Sequence, residues 1–268
     1  MGLDAFVRCR CLQDGLTTEP PVPAELIVED EDGYLALSLP YDGNEDKYAA
    51  FDQWRSERAC PHKDMEIATV RVSNWGGYRH FQEALRSAGC ERFPVLCNEL
   101  PEANGGHMPS ESARRALAEL DLLTAEGRLG ATTWLLDADT GERLIQSIGA
   151  YGGVFVLDGH TGRRAGIDPK GFFVQDVTTE PHREEFRAVH FTQERVGESC
   201  VRLRDLDSGT EATVRLIQPV RADKEGRYPR HLRVETVPSK AEDFAYIIEP
   251  LREVFRASVA TGNPVTWC

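Results

Sequence analysis

Two short pairs of metal-binding residue types stand out in the first quarter of the chain. Cys9 and Cys11 form one pair, Cys60 and His62 form the other, and a single residue separates the members of each pair. Thiolate sulfur and imidazole nitrogen are ligands that zinc prefers in tetrahedral sites. Two residues spaced in this way on extended backbone project to the same side, so each pair can act as a two-ligand arm. The spacing therefore predicts a zinc site if folding brings the two arms together.

Other interpretations of these cysteines are left open by the sequence. Cys9 and Cys11 continue an alternating apolar pattern that begins at Leu3, and free cysteine is common in protein cores. Neither pair has the Cys-x-x-Cys spacing that is typical of zinc modules. A redox role for the thiols is a third alternative.

The sequence contains no diagnostic catalytic signature, so the catalytic residues are unknown. Cys200 and His190 lie in neighbouring strand-like segments and could form a nucleophilic pair. Asp4, Glu29 and Asp32 could supply paired carboxylates for hydrolysis. However, a cysteine in an alternating apolar segment usually packs in a core, and carboxylates near a hairpin are usually solvated. Whether the protein is an enzyme is therefore undecided.

Two segments combine an aromatic residue with a glycine pair and could line a ligand cleft. They are Trp75, Gly76 and Gly77 in one segment, and Tyr151, Gly152 and Gly153 in the other. Bare backbone beside a ring allows a ligand to approach the main chain closely. The second segment is not followed by a helix start, which favours a bulged strand pair over a phosphate-binding turn.

The charge is distributed unevenly along the chain. Asp and Glu number 44 against 31 Lys and Arg, which gives a formal charge of -13. Nine acidic residues and no lysine or arginine lie between Thr17 and Asp46, including the run Glu29, Asp30, Glu31 and Asp32. Binding to nucleic acid needs cations that displace phosphate counterions, so this charge disfavours it. The acidic run instead favours a basic protein partner.

Cysteine usage and hydropathy favour a cytoplasmic protein. Seven cysteines are an odd number, and a chain of 268 residues does not need disulfides to stabilise a core. The segment from Met1 to Arg10 lacks the apolar stretch of a signal peptide, and no apolar run is long enough to span a bilayer. We therefore expect no membrane association, and the sequence leaves the oligomeric state unknown.

The periodicity of apolar residues predicts an α+β fold. Helices near residues 46, 77, 111 and 241 are expected to cover one face of a mostly antiparallel sheet or meander. Hydrophobic residues make up 41% of the chain, enough for a substantial core. We expect a single domain, 1–268, with subregions 1–128, which is rich in helices and holds the Cys/His cluster, and 129–268, a β meander followed by a C-terminal helix.

Local patterns predict several element boundaries. Strands are expected over 3–11, 67–72 and 93–96, with a hairpin made of 26–28 and 34–39. Three Asp-x-x-Thr/Ser-Gly turns punctuate the meander, beginning at Asp137, Asp158 and Asp205. Ser239 and Glu242 are predicted to form a capping box, and Pro250 predicts a kink or a second helix starting there.

Four segments carry distinctive motifs: Met1–Asp4 with Cys9 and Cys11, Asn74–Gly77, Leu100–Gly106, and Thr261–Trp267. Together they resemble a group of uncharacterised bacterial cytosolic proteins, over nearly the whole chain. The resemblance implies a bacterial, soluble, one-piece protein. It implies no activity, cofactor or catalytic residue.

Two classes of function follow from these features. The first is a soluble non-catalytic binding protein, of the acidic inhibitor or immunity type, that meets a basic partner. The alternative is an enzyme that depends on zinc or on a Cys/His pair and acts on a small molecule or nucleotide. Four protein ligands on zinc would make the metal structural, whereas an open position would favour the enzyme.

Overall fold

The computed structural model describes residues 2–30 and 33–268, which form a mixed α+β structure with mostly antiparallel sheets. The predicted fold class is therefore confirmed. The chain divides into two compact units, one made of the chain up to Leu129 together with Lys240–Cys268, and the other of Gly130–Ser239. We call them unit one and unit two. Unit one is discontinuous, because the C-terminal segment that the sequence placed with the meander packs with the N-terminal half.

The part of unit one that precedes unit two in the chain contains strands, helices and one hairpin. In chain order these elements are β1 (Gly2–Arg8), β2 (Ile27–Glu29), β3 (Leu35–Leu37), α1 (Glu45–Gln53), β4 (Glu66–Asn74), α2 (Trp75–Ala88), α3 (Pro94–Asn98), β5 (His107–Met108) and α4 (Ser110–Glu126). Ten strands follow in unit two, of which only the end residues Arg128, Leu129 and Lys240 belong to unit one. They are β6 (Arg128–Asp137), β7 (Arg143–Gln146), β8 (Val154–Asp158), β9 (Arg163–Asp168), β10 (Gly171–Asp176), β11 (Arg183–Ala188), β12 (His190–Gly197), β13 (Cys200–Asp205), β14 (Glu211–Val214) and β15 (His231–Lys240). The chain then returns to unit one as α5 (Ala245–Thr261) and β16 (Val265–Trp267).

A four-stranded sheet in the order β4-β1-β16-β5 organises unit one. β1 lies between β4 and β16, with Ala5 opposite Val70 on one side and Trp267 on the other. Helices α2, α4 and α5 pack their apolar stripes with this sheet around one core, which includes Phe81 and Phe255. The N-terminal strand and the C-terminal strand are thus neighbours, and residues just beyond β1 are held close to the C-terminal segment.

Two predicted elements of unit one are wrong. β1 ends at Arg8, so Cys9 and Cys11 lie beyond the strand rather than within it. The segment 93–96, predicted as a strand, is instead the start of helix α3, with Phe93 as the N-cap and Pro94 as the first helical residue. Pro94 occupies the first helical position, where its missing N–H costs nothing, and the Glu119 carboxylate accepts hydrogen bonds from the N–H groups of Val95 and Leu96.

Unit two consists of two antiparallel sheets, in the orders β11-β10-β9-β8 and β14-β13-β12-β15-β6-β7. The three predicted Asp turns are confirmed. Each aspartate accepts a hydrogen bond from the N–H two residues ahead, at 2.8 to 2.9 Å. The glycine four residues after each aspartate has φ between 64° and 75°, the left-handed region that glycine enters without a Cβ penalty.

The C-terminal helix begins differently from the predicted capping box. Ser239 is buried, and its hydroxyl is hydrogen bonded to that of Thr132. The capping hydrogen bond is shifted by one residue from the predicted pair of Ser239 and Glu242: the N–H of Lys240 donates to the Asp243 carboxylate. Pro250 lies inside the single helix α5, so no separate helix starts there. None of the helices among the described residues has the length and hydropathy of a membrane span.

Candidate metal centre

The two predicted ligand arms converge in unit one. The Sγ atoms of Cys9, Cys11 and Cys60 and a ring nitrogen of His62 all lie within 4.8 Å of one another. The second arm is 51 residues from the first, so folding alone brings the pairs together. These four residues could hold a metal ion.

Three of the six separations between the ligand atoms are close to the edges of a tetrahedral coordination sphere, and all six lie within 4.8 Å. An ion with bonds of about 2.3 Å to sulfur and about 2.0 Å to nitrogen sets S–S edges of about 3.8 Å and S–N edges of about 3.5 Å. The Sγ atoms of Cys9 and Cys60 are 3.7 Å apart. His62 Nδ1 lies 3.4 Å from the Sγ of Cys11 and 3.7 Å from that of Cys60. The cluster therefore surrounds a space of the size that zinc would fill.

The first arm is a turn that follows β1. The Cys9 N–H donates to the carbonyl of Met65 at 2.8 Å, and the Leu16 N–H donates to the carbonyl of Cys11 at 2.8 Å. From the C-terminal segment, the side-chain amide of Asn263 donates to the carbonyls of Arg8 and Cys9 at 2.9 and 3.1 Å. Turn geometry and these hydrogen bonds, rather than strand alternation, direct the two thiols to one side.

The second arm ends in an unusual backbone turn. Cys60 follows a π-helical segment, Trp54–Arg58, and His62 is extended. Asp64 and Met65 then have φ of 53° and 59°, which is rare outside glycine and unfavourable for a side chain as large as methionine. Such backbone persists only where the surrounding structure holds it, and it clusters at functional sites. The carbonyl of Met65 accepts the N–H of Cys9, so this strained turn connects the two arms directly.

Burial sets the ionisation of the thiols. Cys9 and Cys11 are 5% and 8% exposed, while Cys60 and His62 are partly exposed. Burial raises the pKa of Cys9 to about 12, with hydrogen bonding and charge interaction from Cys60 acting in the same direction. Burial also raises the pKa of Cys11. A bound cation supplies the countercharge that thiolates need in such a site, so metal binding would displace the thiol protons.

The donor set limits the chemistry of the site. Three thiol sulfurs and one imidazole nitrogen are soft to borderline ligands, which suit zinc and disfavour magnesium or calcium. All four positions of a tetrahedral ion would be taken by protein atoms, so no position would be left for a water or substrate. The arrangement can therefore stabilise a fold, but it lacks the open position that metal catalysis uses.

The cluster also forms part of a small core of its own. Its buried residues are Cys9, Cys11, Val22, Leu35, Leu37, Phe51, Trp54, Ala59 and Met65. The chain around them contains only the β2–β3 hairpin, α1 and short helical turns. A core of this size is marginal without a further crosslink. Packing of the cysteines and metal binding by them are thus compatible.

The two aromatic–glycine segments lie in different units and each has a local structural role. Gly77 is in the first turn of α2, where its N–H donates to the Asn74 side chain at 2.8 Å. A Cβ at Gly77 would lie 2.9 Å from the hydroxyl of Tyr246. Gly152 and Gly153 follow a short 3-10 turn with φ of 60° and 71°, before a bulge in β8.

The acidic run predicted to meet a partner is partly engaged within the protein. Glu29 forms an ion pair with Arg8. The Asp30 carboxylate accepts the N–H of Tyr34 at 2.8 Å and so stabilises the β2–β3 turn. Glu31 and Asp32 lie outside the described residues.

The Cys200–His190 pair, which the sequence left open as an alternative, is not formed. Cys200 lies opposite Gly197 at one end of the β12–β13 hairpin, whereas His190 is at the other end of β12. The Nδ1 atom of His190 is 3.3 Å from an Asp207 carboxylate oxygen. The strand spacing keeps the thiol and this imidazole apart, so they form no nucleophilic pair.

A disulfide between Cys90 and Cys97 was not predicted. The strand expected over 93–96 would hold Cys90 and Cys97 apart at its two ends. Helix α3 shortens that segment and brings the two Cα atoms to 5.6 Å. Disulfides are uncommon in a reducing cytosol, so the expected cytoplasmic location stays a prediction.

Similarity to other proteins adds nothing to this geometry. The resemblance drawn from the sequence motifs stays a prediction. Comparison of the chain with known proteins finds no matching family model, no matching curated protein and no matching solved structure.

Proposed function

We propose that the protein is a non-catalytic binding protein whose first unit is stabilised by one structural zinc ion, held by Cys9, Cys11, Cys60 and His62. The observation that carries the proposal is the convergence of four protein ligand atoms within 4.8 Å, with three of their separations close to tetrahedral edges. A zinc with four protein ligands serves folding rather than catalysis. Zinc would crosslink the turn after β1 to the turn before β4, across a small core.

The charge distribution supports a basic partner for unit one. Unit one has 27 acidic side chains against 16 lysines and arginines, a formal charge of -11, whereas unit two has 17 against 15, a charge of -2. Between Thr17 and Asp46, five exposed acids form no ion pair with any described residue: Glu19, Glu25, Asp42, Glu45 and Asp46. A surface with one sign of charge accelerates and orients association with a partner of opposite charge.

Zinc binding is tested with the full chain and single ligand variants. We expect one zinc per chain after dialysis, and Cys11→Ser to weaken zinc binding by more than about 100-fold, since loss of an outer-sphere contact alone costs 10- to 100-fold. The matched control is Cys200→Ser, which replaces a free thiol of unit two. Equal zinc binding by both variants would exclude the site.

The partner surface is tested by charge reversal. The triple variant Glu19→Lys, Glu25→Lys and Asp42→Lys should weaken binding of a deca-lysine peptide more than a control with the same change in net charge. That control reverses Glu142, Glu180 and Glu198, which are exposed acids of unit two. Isothermal titration at two salt concentrations measures both affinities. If the two triple variants lose the same affinity, only net charge matters and the surface on unit one is not a binding site.

One observation favours the alternative, an enzyme that uses a Cys/His pair. The Sγ of Cys11 lies 3.4 Å from Nδ1 of His62, the kind of contact that activates a nucleophilic thiol. Burial raises the pKa of Cys11, however, and so opposes a thiolate nucleophile. Alkylation of the metal-free protein at pH 7 distinguishes the two: the enzyme hypothesis requires Cys11 to react faster than Cys200.

A further inference from the structure

A groove of about 740 Å³ opens on unit two. It lies between the turn end of the β8–β9 hairpin and the irregular segment that follows β14. Its volume is within the range of small-molecule sites, which are mostly apolar with a few placed polar groups.

The floor of the groove is an extension of the core. Phe155 and Val156 of β8 and Ile145 of β7 line it and pack against the buried cluster of unit two. At its mouth, Leu157 and Ile217 are 72% and 52% exposed. Two large apolar side chains thus remain in water at the edge of an apolar trough, where an apolar ligand would remove both from water.

The wall opposite β8 is rigidly placed. The buried side chain of Gln193 donates to the carbonyl of Val220 at 3.0 Å and accepts the N–H of Val220 at 2.8 Å. The next residue, Arg221, has φ of 60°, which a non-glycine residue adopts only where the structure compels it. Gln193 therefore fixes the backbone from which the Arg221 side chain starts, which reduces the ordering cost of binding.

The cation at the groove is Arg221, and its guanidinium pairs with no carboxylate among the described residues. Arg221 forms no ion pair with a described residue, whereas seven other arginines of unit two do: Arg163, Arg183, Arg187, Arg202, Arg204, Arg227 and Arg233. The one acid that lines the groove, Asp158, is committed to its own turn. Its carboxylate accepts from the His160 N–H at 2.9 Å and the Thr161 hydroxyl at 2.7 Å.

We propose that this groove binds an amphipathic carboxylate, with its apolar chain along Phe155, Val156 and Leu157 and its carboxylate paired with Arg221. An unpaired guanidinium is suited to a carboxylate because its N–H groups match both oxygens. The apolar trough would hold the apolar chain of the ligand, and Arg221 would bind its carboxylate.

The first test is a chain-length series measured by isothermal titration calorimetry on the full protein, below the micelle concentration. The probes are octanoate, decanoate and dodecanoate, with 1-decanol as the uncharged analogue. Each added methylene should tighten binding about two- to fourfold, the upper figure being that for full burial. Decanoate should bind at least about tenfold tighter than 1-decanol, because only the acid can pair with Arg221.

Matched variants locate the ligand. Arg221→Gln should weaken decanoate binding at least about tenfold, whereas Arg230→Gln, an exposed arginine of unit two that does not line the groove, should not. Leu157→Ser should also weaken decanoate binding. Leu206 is 51% exposed elsewhere in unit two, so Leu206→Ser should leave the affinity for decanoate unchanged. Both apolar variants alter exposed side chains, so each should remain folded.

Three results would overturn the proposal. They are the absence of saturable binding for every chain length, equal affinity for decanoate and 1-decanol, and equal loss of affinity in Arg221→Gln and Arg230→Gln. A further binding measurement uses an extended apolar pentapeptide with a free or an amidated C-terminus. Binding of both peptides without binding of decanoate would also overturn it, in favour of strand addition at the free edge of β8.

Discussion

Individual residues decide the candidate metal centre, and their types and spacing were enough to identify them. One Cys-x-Cys pair and one Cys-x-His pair predicted the ligands Cys9, Cys11, Cys60 and His62. The structure brings their donor atoms within 4.8 Å of one another. The sequence could not predict the left-handed backbone of Met65, because no local pattern favours positive φ at methionine. Tertiary hydrogen bonding to Cys9 holds that conformation.

His80 gives a prediction about pH at the same scale. Its ring is 7% exposed and packs at 5.0 Å on the ring of Phe244. Burial lowers the pKa of His80 below its ordinary value of 6.5. The unfolded chain therefore takes up a proton more readily than the folded one, so the stability is complete above about pH 6.5 and is lost as the pH falls towards the folded pKa. We expect His80→Phe to lose less stability between pH 7 and pH 5 than the natural protein.

Urea unfolding at a series of pH values measures this difference. His107→Phe, a change at an exposed histidine of β5, is the control and should follow the natural protein. Parallel loss of stability in the natural protein and in His80→Phe would show that another group controls the loss of stability at low pH.

Elements with strong local signals were predicted well, and those fixed by distant contacts were not. Helix α2 was predicted near residue 77 from its stripe of apolar residues, and in the structure its cap at Asn74 and the glycine at its end, Gly89, agree with that stripe. Helix α3 was missed because Phe93 to Leu96 are apolar and β-like locally, while the groups that stabilise it are Pro94 and Glu119, the latter on α4. The end of β1 was misplaced because Cys9 and Cys11 keep the apolar alternation after the strand has turned away.

The glycine pair before β8 provides a prediction about an element. Gly152 and Gly153 both have positive φ, but a Cβ at Gly153 would fall on the carbonyl of Ile167 on β9, whereas at Gly152 it would meet open space. Gly152→Ala should cost about 1 kcal/mol, the penalty for a left-handed alanine. Gly153→Ala should cost roughly 3 kcal/mol or more, because strain in the β8–β9 pairing is added. Urea unfolding monitored by circular dichroism measures both, and equal costs would contradict this account of the turn.

The whole molecule differs from the sequence-based division mainly in where its last segment belongs. A stripe on α5 predicts a buried face but does not say which sheet covers it. Pairing of β16 with β1 settles this, since Val265 lies opposite Val7. The charge difference between the units follows the same division, because most of the acidic residues belong to unit one.

Zinc removal should therefore affect one part of the chain. A strong chelator is expected to increase amide hydrogen exchange over residues 9–65, which contain the ligands and the small core around them, because a ligand at 1,000 times its dissociation constant contributes about 4 kcal/mol. Exchange over residues 130–239 should not change. Equal effects of the chelator on both ranges would show that the metal does not act through the predicted site.

X-ray absorption at the zinc edge of the purified natural protein tests directly whether Cys9, Cys11, Cys60 and His62 hold a zinc ion. We expect one zinc per chain with about three sulfur ligands near 2.3 Å and one nitrogen near 2.0 Å. A protein that retains no zinc, or a zinc coordinated mainly by oxygen, would contradict it.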